Sequence, residues 1–293
     1  MKLCFALLSA FAVTTVFGNA GTAARESAPS KSPAPEAELA AAGSPFAIHG
    51  NGSFDILSGY EFRGALLNDE PVYWTYGELY ATYADLVSIG GWVFQNTDMT
   101  CCRKAEARRM NEWDYAADVR ITPELARGWR LGLEVGHCWC CMHGLRGESA
   151  DYYARPAQEI YALFSLDNPY VTPYATCEYG YDTVKGAAFS FGLKRAFSLP
   201  LGLELTPKVS AGGSNSGFNE ELYPPFDGSV GTGLMFVQVG AELQYWVTEW
   251  LGVRAQASFT VITDPDLRDA IDAYGDTYRN EFVCGGLGVV FAF

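Results

Sequence analysis

The sequence predicts an all-β fold: a transmembrane antiparallel up-and-down β-barrel of about twelve strands, with both termini on the periplasmic side. Three observations carry this. The chain closes on "GGLGVVFAF", where large apolar residues alternate with small ones up to a final aromatic. From Gly50 onward it is rich in Tyr, Phe, Trp, Gly and Val and alternates repeatedly, without a sustained helical period. Its connections alternate between short turns and long polar loops, the pattern of barrels that cross an outer membrane.

The amino-terminal region sets the address. Lys2 precedes the apolar run "LCFALLSAFAVTTVFG" and the small residues of "GNA" and "TAA", the order of a secretory signal, with cleavage after Ala20 or Ala24. Residues 25–48 are mostly Ala, Pro, Ser and Glu, and read as a disordered exported linker. The expected organisation is a signal peptide at 1–24, this linker at 25–48 and an outer-membrane barrel at 49–293, in a Gram-negative bacterium. At about 240 residues the last part is one domain, since all-β barrels commonly reach that size.

Twelve strands are expected near 53–64, 72–84, 86–97, 111–121, 129–140, 158–167, 170–182, 186–198, 201–212, 233–247, 250–263 and 281–293. The fourth shows the two faces: Trp113, Tyr115, Val119 and Ile121 on one, Asp114, Asp118 and Arg120 on the other. Even-numbered connections are short ("AD", "TPELARG", "DNP", "LP", "TE"), whereas the odd-numbered ones are mostly long, as in "TDMTCCRKAEARRM" and "DPDLRDAIDAYGDTYRN", with "TVKG" the exception. In hydrocarbon a sheet edge would leave backbone groups unsatisfied, so the last strand must pair with the first. Trp129, Tyr170, Phe197, Trp246, Trp250 and Phe293 fall near strand ends, where interfacial girdles belong.

Alternate residues Leu287, Val289, Phe291 and Phe293 resemble the carboxyl-terminal assembly signal of outer-membrane barrels. That resemblance implies the barrel-assembly machinery and periplasmic chaperones as partners, beside outer-membrane lipid. A narrower resemblance lies in the first third of the mature chain. "SGYEFRGALLNDEP" looks like the opening strand of the Gcw-type conserved hypothetical family of porin-like outer-membrane barrels, and "GGWVFQNTD" and "NEWDY" fall where that family has its next strands. Tyr60, Phe62, Arg63, Gly64, Trp92, Asn96, Asp98 and Asp114 carry the match, and the cysteine-rich stretch departs from it. The family implies a fold and a location, and no particular cargo.

By phase the lumen receives Asp55, Glu61, Arg63, Asp114, Asp118, Arg120, Arg130, Glu134, Glu178, Lys194, Glu204, Lys208, Glu242 and Arg254, with acids in excess. Eight strands make a barrel filled by side chains and sixteen an aqueous channel, so about twelve imply a narrow pore or a plugged one. An open lumen would pass small polar solutes with weak cation preference. The alternative is a non-conducting barrel whose paired charges fill the lumen, acting through its long loops. The net charge of −14 and the lack of a basic face argue against a nucleic-acid partner.

"HCWCCMH" at 137–143 and "CC" at 101–102 stand out. Exported thiols usually oxidise, so Cys101, Cys102, Cys138, Cys140 and Cys141 are expected to form one or two disulfides between neighbouring loops. Loss of Cys4 with the signal leaves seven cysteines, and Cys177 or Cys284 is the expected unpaired thiol. The alternative is a metal or haem site using His137, His143 and some of the thiols, although the spacing matches no standard zinc pattern. No cofactor is otherwise expected.

An enzyme is not expected. Outer-membrane lipid hydrolases place serine and histidine on the lipid face near the outer rim, where His137 falls. Yet the chain has three histidines, His49 precedes the first expected strand, and phase places no serine or acid beside His137.

Overall fold

Alternation over twelve segments gives twelve wall strands. The computed structural model describes residues 45–62, 65–99, 111–143, 157–182, 185–218, 231, 233–274 and 279–293. The signal peptide and most of the linker therefore lie outside the described residues, as do Arg63, Cys101 and Cys102. In chain order the strands are β1 (Phe46–Leu57), β2 (Tyr60–Phe62), β3 (Ala65–Asn68), β4 (Val72–Tyr83), β5 (Val87–Asp98) and β6 (Asn111–Ile121). Next come β7 (Glu124–Ala126), β8 (Trp129–His143), β9 (Ala157–Asp167), β10 (Thr172–Gly180), β11 (Gly186–Lys194) and β12 (Phe197–Ser198). The last are β13 (Leu203–Ser214), β14 (Gly233–Trp246), β15 (Leu251–Ile262) and β16 (Glu281–Ala292), with the helix α1 (Pro265–Tyr274) before β16.

Twelve of these, all but β2, β3, β7 and β12, pair antiparallel around a closed wall. β1 closes on β16 from Asn51↔Ala292 to Leu57↔Gly286, and β11 on β13 from Ala188↔Ser214 to Lys194↔Lys208. Among the described residues the wall has no open edge, which is what hydrocarbon requires. The faces are inverted relative to a soluble protein. Ile48, Ile89, Val283 and Leu287 are more than 60% exposed, whereas Asp55, Asn96, Glu112 and Asp114 are fully buried.

Both ends of the wall, Phe46 and Phe293, lie with the short turns. Phe46, Tyr83, Trp129, Tyr170, Phe197, Trp250 and Phe293 form an exposed aromatic belt at that end, with Phe46 and Tyr83 rings 5.0 Å apart. Trp246 departs from the expectation: it shares the inward phase of β14 with Gln244.

Three differences from the sequence reading follow from pairing. β1 begins at Phe46 rather than 53, because β4 offers partners from Phe46↔Tyr83 to Leu57↔Val72. The barrel thus takes in residues assigned to the linker, and His49 lies within β1. The stretch expected to end the first strand instead leaves the wall as the β2–β3 hairpin. The loop "DPDLRDAIDAYGDTYRN" contains α1, capped by Asp264 Oδ1 accepting from the Leu267 amide at 2.9 Å, with Pro265 as its first residue. Leu267 and Ile271, four apart on one face, are buried.

The seam depends on its last residue. Phe293 and Gly50 exchange two backbone hydrogen bonds of 3.0 Å, and the phenyl ring covers Gly50 so closely that a Cβ there would sit 2.7 Å from it. Phe293→Ala should therefore weaken the folded barrel, by less than the ~1.5–3 kcal/mol of a fully buried ring because Phe293 keeps most of its surface exposed. Gly50→Val should do the same by displacing the ring. Denaturant unfolding of the lipid-reconstituted protein measures both, and unchanged midpoints would contradict this account of the seam.

Candidate functional site: the lumen

The lumen is divided by a strut. Tyr60 of β2 packs edge-on against Trp74 of β4 at 5.6 Å, and its hydroxyl donates to Glu112 of β6 at 3.3 Å. The next residue, Glu61, reaches the other way. Its carboxylate accepts from Gln238 of β14 at 2.7 Å, and from Thr260 and Ser258 of β15 at 2.6 and 3.1 Å. β6 and β14 are six strands apart around a wall of twelve, so the hairpin bridges opposite sides of the barrel.

One half of the lumen is packed. Arg120 of β6 contacts Glu78 at 2.8 Å, Glu134 at 2.7 Å and Asp118 at 3.6 Å, and its guanidinium lies 3.7 Å above the Tyr80 ring. Asp118 also accepts from Tyr80 at 2.7 Å and Tyr161 at 3.1 Å, and Tyr161 in turn accepts from Trp92 at 3.0 Å. Tyr76, Tyr80, Trp92, Phe94 and Tyr161 are each no more than 5% exposed, so aromatic rings and paired charges fill the space inside β4, β5, β6, β8 and β9. Carboxylates in such a setting persist only when paired, and Arg120 is the cation that holds three of them.

A second ion pair stands at the seam. Arg254 donates through Nε to Asp55 at 2.7 Å and through Nη2 to Ser53 at 3.0 Å, while Glu242 lies 3.8 Å away. Gly288 makes this possible: a Cβ there would lie 2.0 Å from the Asp55 carboxylate. The small residues on the inward face of the last strand thus leave room for polar groups of β1.

The other half is open. A cavity of about 90 Å³ lies between the strut and the wall from β10 to β16. Hydroxyls of Thr176, Ser190, Ser210 and Ser258 and amides of Gln238 and Gln256 line it, with Glu61, Lys208 and Glu242 as its charges.

The sequence-predicted lumen residues fall into distinct places. Asp118, Arg120 and Glu134 form the packed cluster; Asp55 and Arg254 form the seam pair; Glu61 grips the strut; Lys208 and Glu242 line the cavity. Asp114, Glu178 and Glu204 are buried inside the wall, Lys194 is half-buried, and Arg130 is exposed at the short-turn end. The sequence reading passed over Glu78, Glu112, Glu159 and Asp167, all buried. Their even spacing from Tyr76, Tyr80, Asp114 and Tyr161, which puts them on the same face, is the available signal.

Cys138 and Cys140 do not extend into the loops. Both face the packed half of the lumen with their sulfurs 3.7 Å apart, and no disulfide joins them. His137, one residue away, faces out: its Nε2 lies 2.6 Å from the Tyr181 hydroxyl and its ring packs on Trp139 at 4.1 Å. Successive residues of a strand point to opposite faces, and Cys138 and Cys140 lie one and three positions from His137, so a metal or haem site joining His137 to either does not form. Cys141 and His143 belong to the end of β8, opposite Trp113 and Asn111. Cys177 is exposed, and Cys284 lines the cavity. The Tyr181 hydroxyl donates to Gln158, which donates to Asp182. This surface chain from His137 contains no serine or thiol nucleophile.

Closure, inversion of the faces and a divided polar lumen define an outer-membrane type of β-barrel. Among solved structures, the chain is similar to an outer membrane channel from Pseudomonas putida F1, with a TM-score of 0.50 and 9% identity over 85% of this chain and 96% of that one. It is also similar to the KdgM porin (TM-score 0.44, 8% identity, 84% and 99% covered) and to outer membrane phospholipase A from Escherichia coli (0.46, 12%, 83% and 92%). At these identities the likeness concerns the fold. No protein-family model and no curated protein matches the chain.

Arg120→Met would strand Glu78, Asp118 and Glu134 without their cation. It should destabilise the barrel by about 3–5 kcal/mol, read from denaturant unfolding in lipid. A near-neutral result would show that the packed half does not depend on this pairing.

Proposed function

We propose that this barrel is a narrow channel for small polar solutes in the outer membrane of a Gram-negative bacterium. The open cavity beside a packed half-lumen carries the reading, because the strut and the Arg120 cluster leave open space along one side. The short-turn end with both termini is then periplasmic. Export uses the signal at 1–24, and Leu287, Val289, Phe291 and Phe293 engage the barrel-assembly machinery after periplasmic chaperones. The excess of inward carboxylates over Arg120, Lys194, Lys208 and Arg254 favours cations over anions.

A second reading, a non-conducting barrel acting through its long loops, draws on the strut itself, which spans the lumen. Planar-bilayer recording separates the two. The channel reading expects small discrete conductance steps, with a reversal potential in a salt gradient displaced toward cations. A folded but silent protein would refute it, and anion preference would refute the selectivity. Glu61→Ala removes three hydrogen bonds to a carboxylate, each contributing about 1.5–3 kcal/mol, so the strut should loosen and the unitary conductance rise.

A further inference from the structure

The cavity holds a cation with no direct hydrogen-bonded partner among the described residues. Lys208 of β13 makes no hydrogen bond or ion pair among the described residues, although Glu242 and Glu61 lie within its electrostatic reach. Gly240 keeps it there, since a Cβ at that position would come within 3.0 Å of the lysine Cε. Glu242 accepts from the Gln244 amide at 3.2 Å and lies 3.8 Å from Arg254. The two charges line one cavity, and Thr176, Ser190 and Ser210 supply hydroxyls around it.

We propose that this cavity is a binding site for small zwitterions of amino-acid size, taking the carboxylate on Lys208 and the ammonium on Glu242. This deepens the channel reading and rests on it for solute entry. A simple anion would match Lys208 but meet two carboxylates. A simple cation would match the carboxylates but be repelled by Lys208. A zwitterion satisfies both and adds no net charge, and the hydroxyls accommodate its remaining polar groups.

Calorimetric titration of the full-length folded protein in detergent tests the site without requiring conduction. L-serine should bind, with acetate and ethylammonium weaker by about tenfold or more, the weight of one charged contact. Lys208→Gln should weaken serine binding by a similar factor, and Glu242→Gln should shift preference toward acetate. Acetate binding as tightly as serine, an unchanged Lys208→Gln, or no binding heat would overturn the proposal. Liposome swelling then separates it from the channel reading: serine that binds but does not enter sinks the channel, whereas equal entry of serine and glycerol without serine binding sinks the site.

Discussion

Closure of the sheet is the constraint on which everything else depends. In hydrocarbon each strand must satisfy its backbone groups on both sides, so β1 meets β16 and β11 meets β13 without an open edge. The seam is sealed to the last residue, where Phe293 and Gly50 exchange backbone hydrogen bonds and ring meets glycine. Closure also dictates chemistry. Once one face of every strand belongs to lipid, the other must take the charged and hydroxylated residues, and a lumen this narrow has to pair most of them.

That pairing is uneven, and the unevenness makes a passage conceivable. Large rings on β4, β5 and β9 bring their hydroxyls and indole onto the Arg120 cluster, so packing and hydrogen bonding reinforce one another there. From β10 to β16 the inward side chains are mostly smaller, with Ser, Thr, Gln and Gly prominent, and space remains. The hairpin stands between the halves, with Tyr60 committed to the packed wall and Glu61 to the open one.

Much of this was legible in the chain. Period-two alternation located the wall strands after β1 within a few residues, and phase separated inward Asp118, Arg120 and Glu134 from outward Val119 and Val135. What was not legible shares a cause. "YEFR" keeps the alternation of β1, so no local signal marks where the strand leaves the wall, and only the partners of Tyr60 and Glu61 across the lumen decide it. The same holds for Arg120, whose phase was plain but whose three carboxylate partners come from β4, β6 and β8. The α1 helix is a different case, since Asp264, Pro265 and the Leu267/Ile271 spacing were visible within a stretch read as loop. Cys138 and Cys140 misled for a simpler reason. Their number suggested bridging between loops, while their phase, alternate with His137, already pointed them inward.

The native cysteines offer the most direct measurement of the central claim that open space is confined to one half of the lumen. Cys284 lines the cavity, whereas Cys138 and Cys140 are buried in the packed half. The reduced barrel, reconstituted in lipid, would be exposed to a charged, water-soluble thiol reagent, and modification at each cysteine followed by mass spectrometry. A divided lumen predicts that Cys284 reacts while Cys138 and Cys140 stay protected. Reaction of Cys138 and Cys140 at the rate of Cys284, or protection of Cys284, would contradict it.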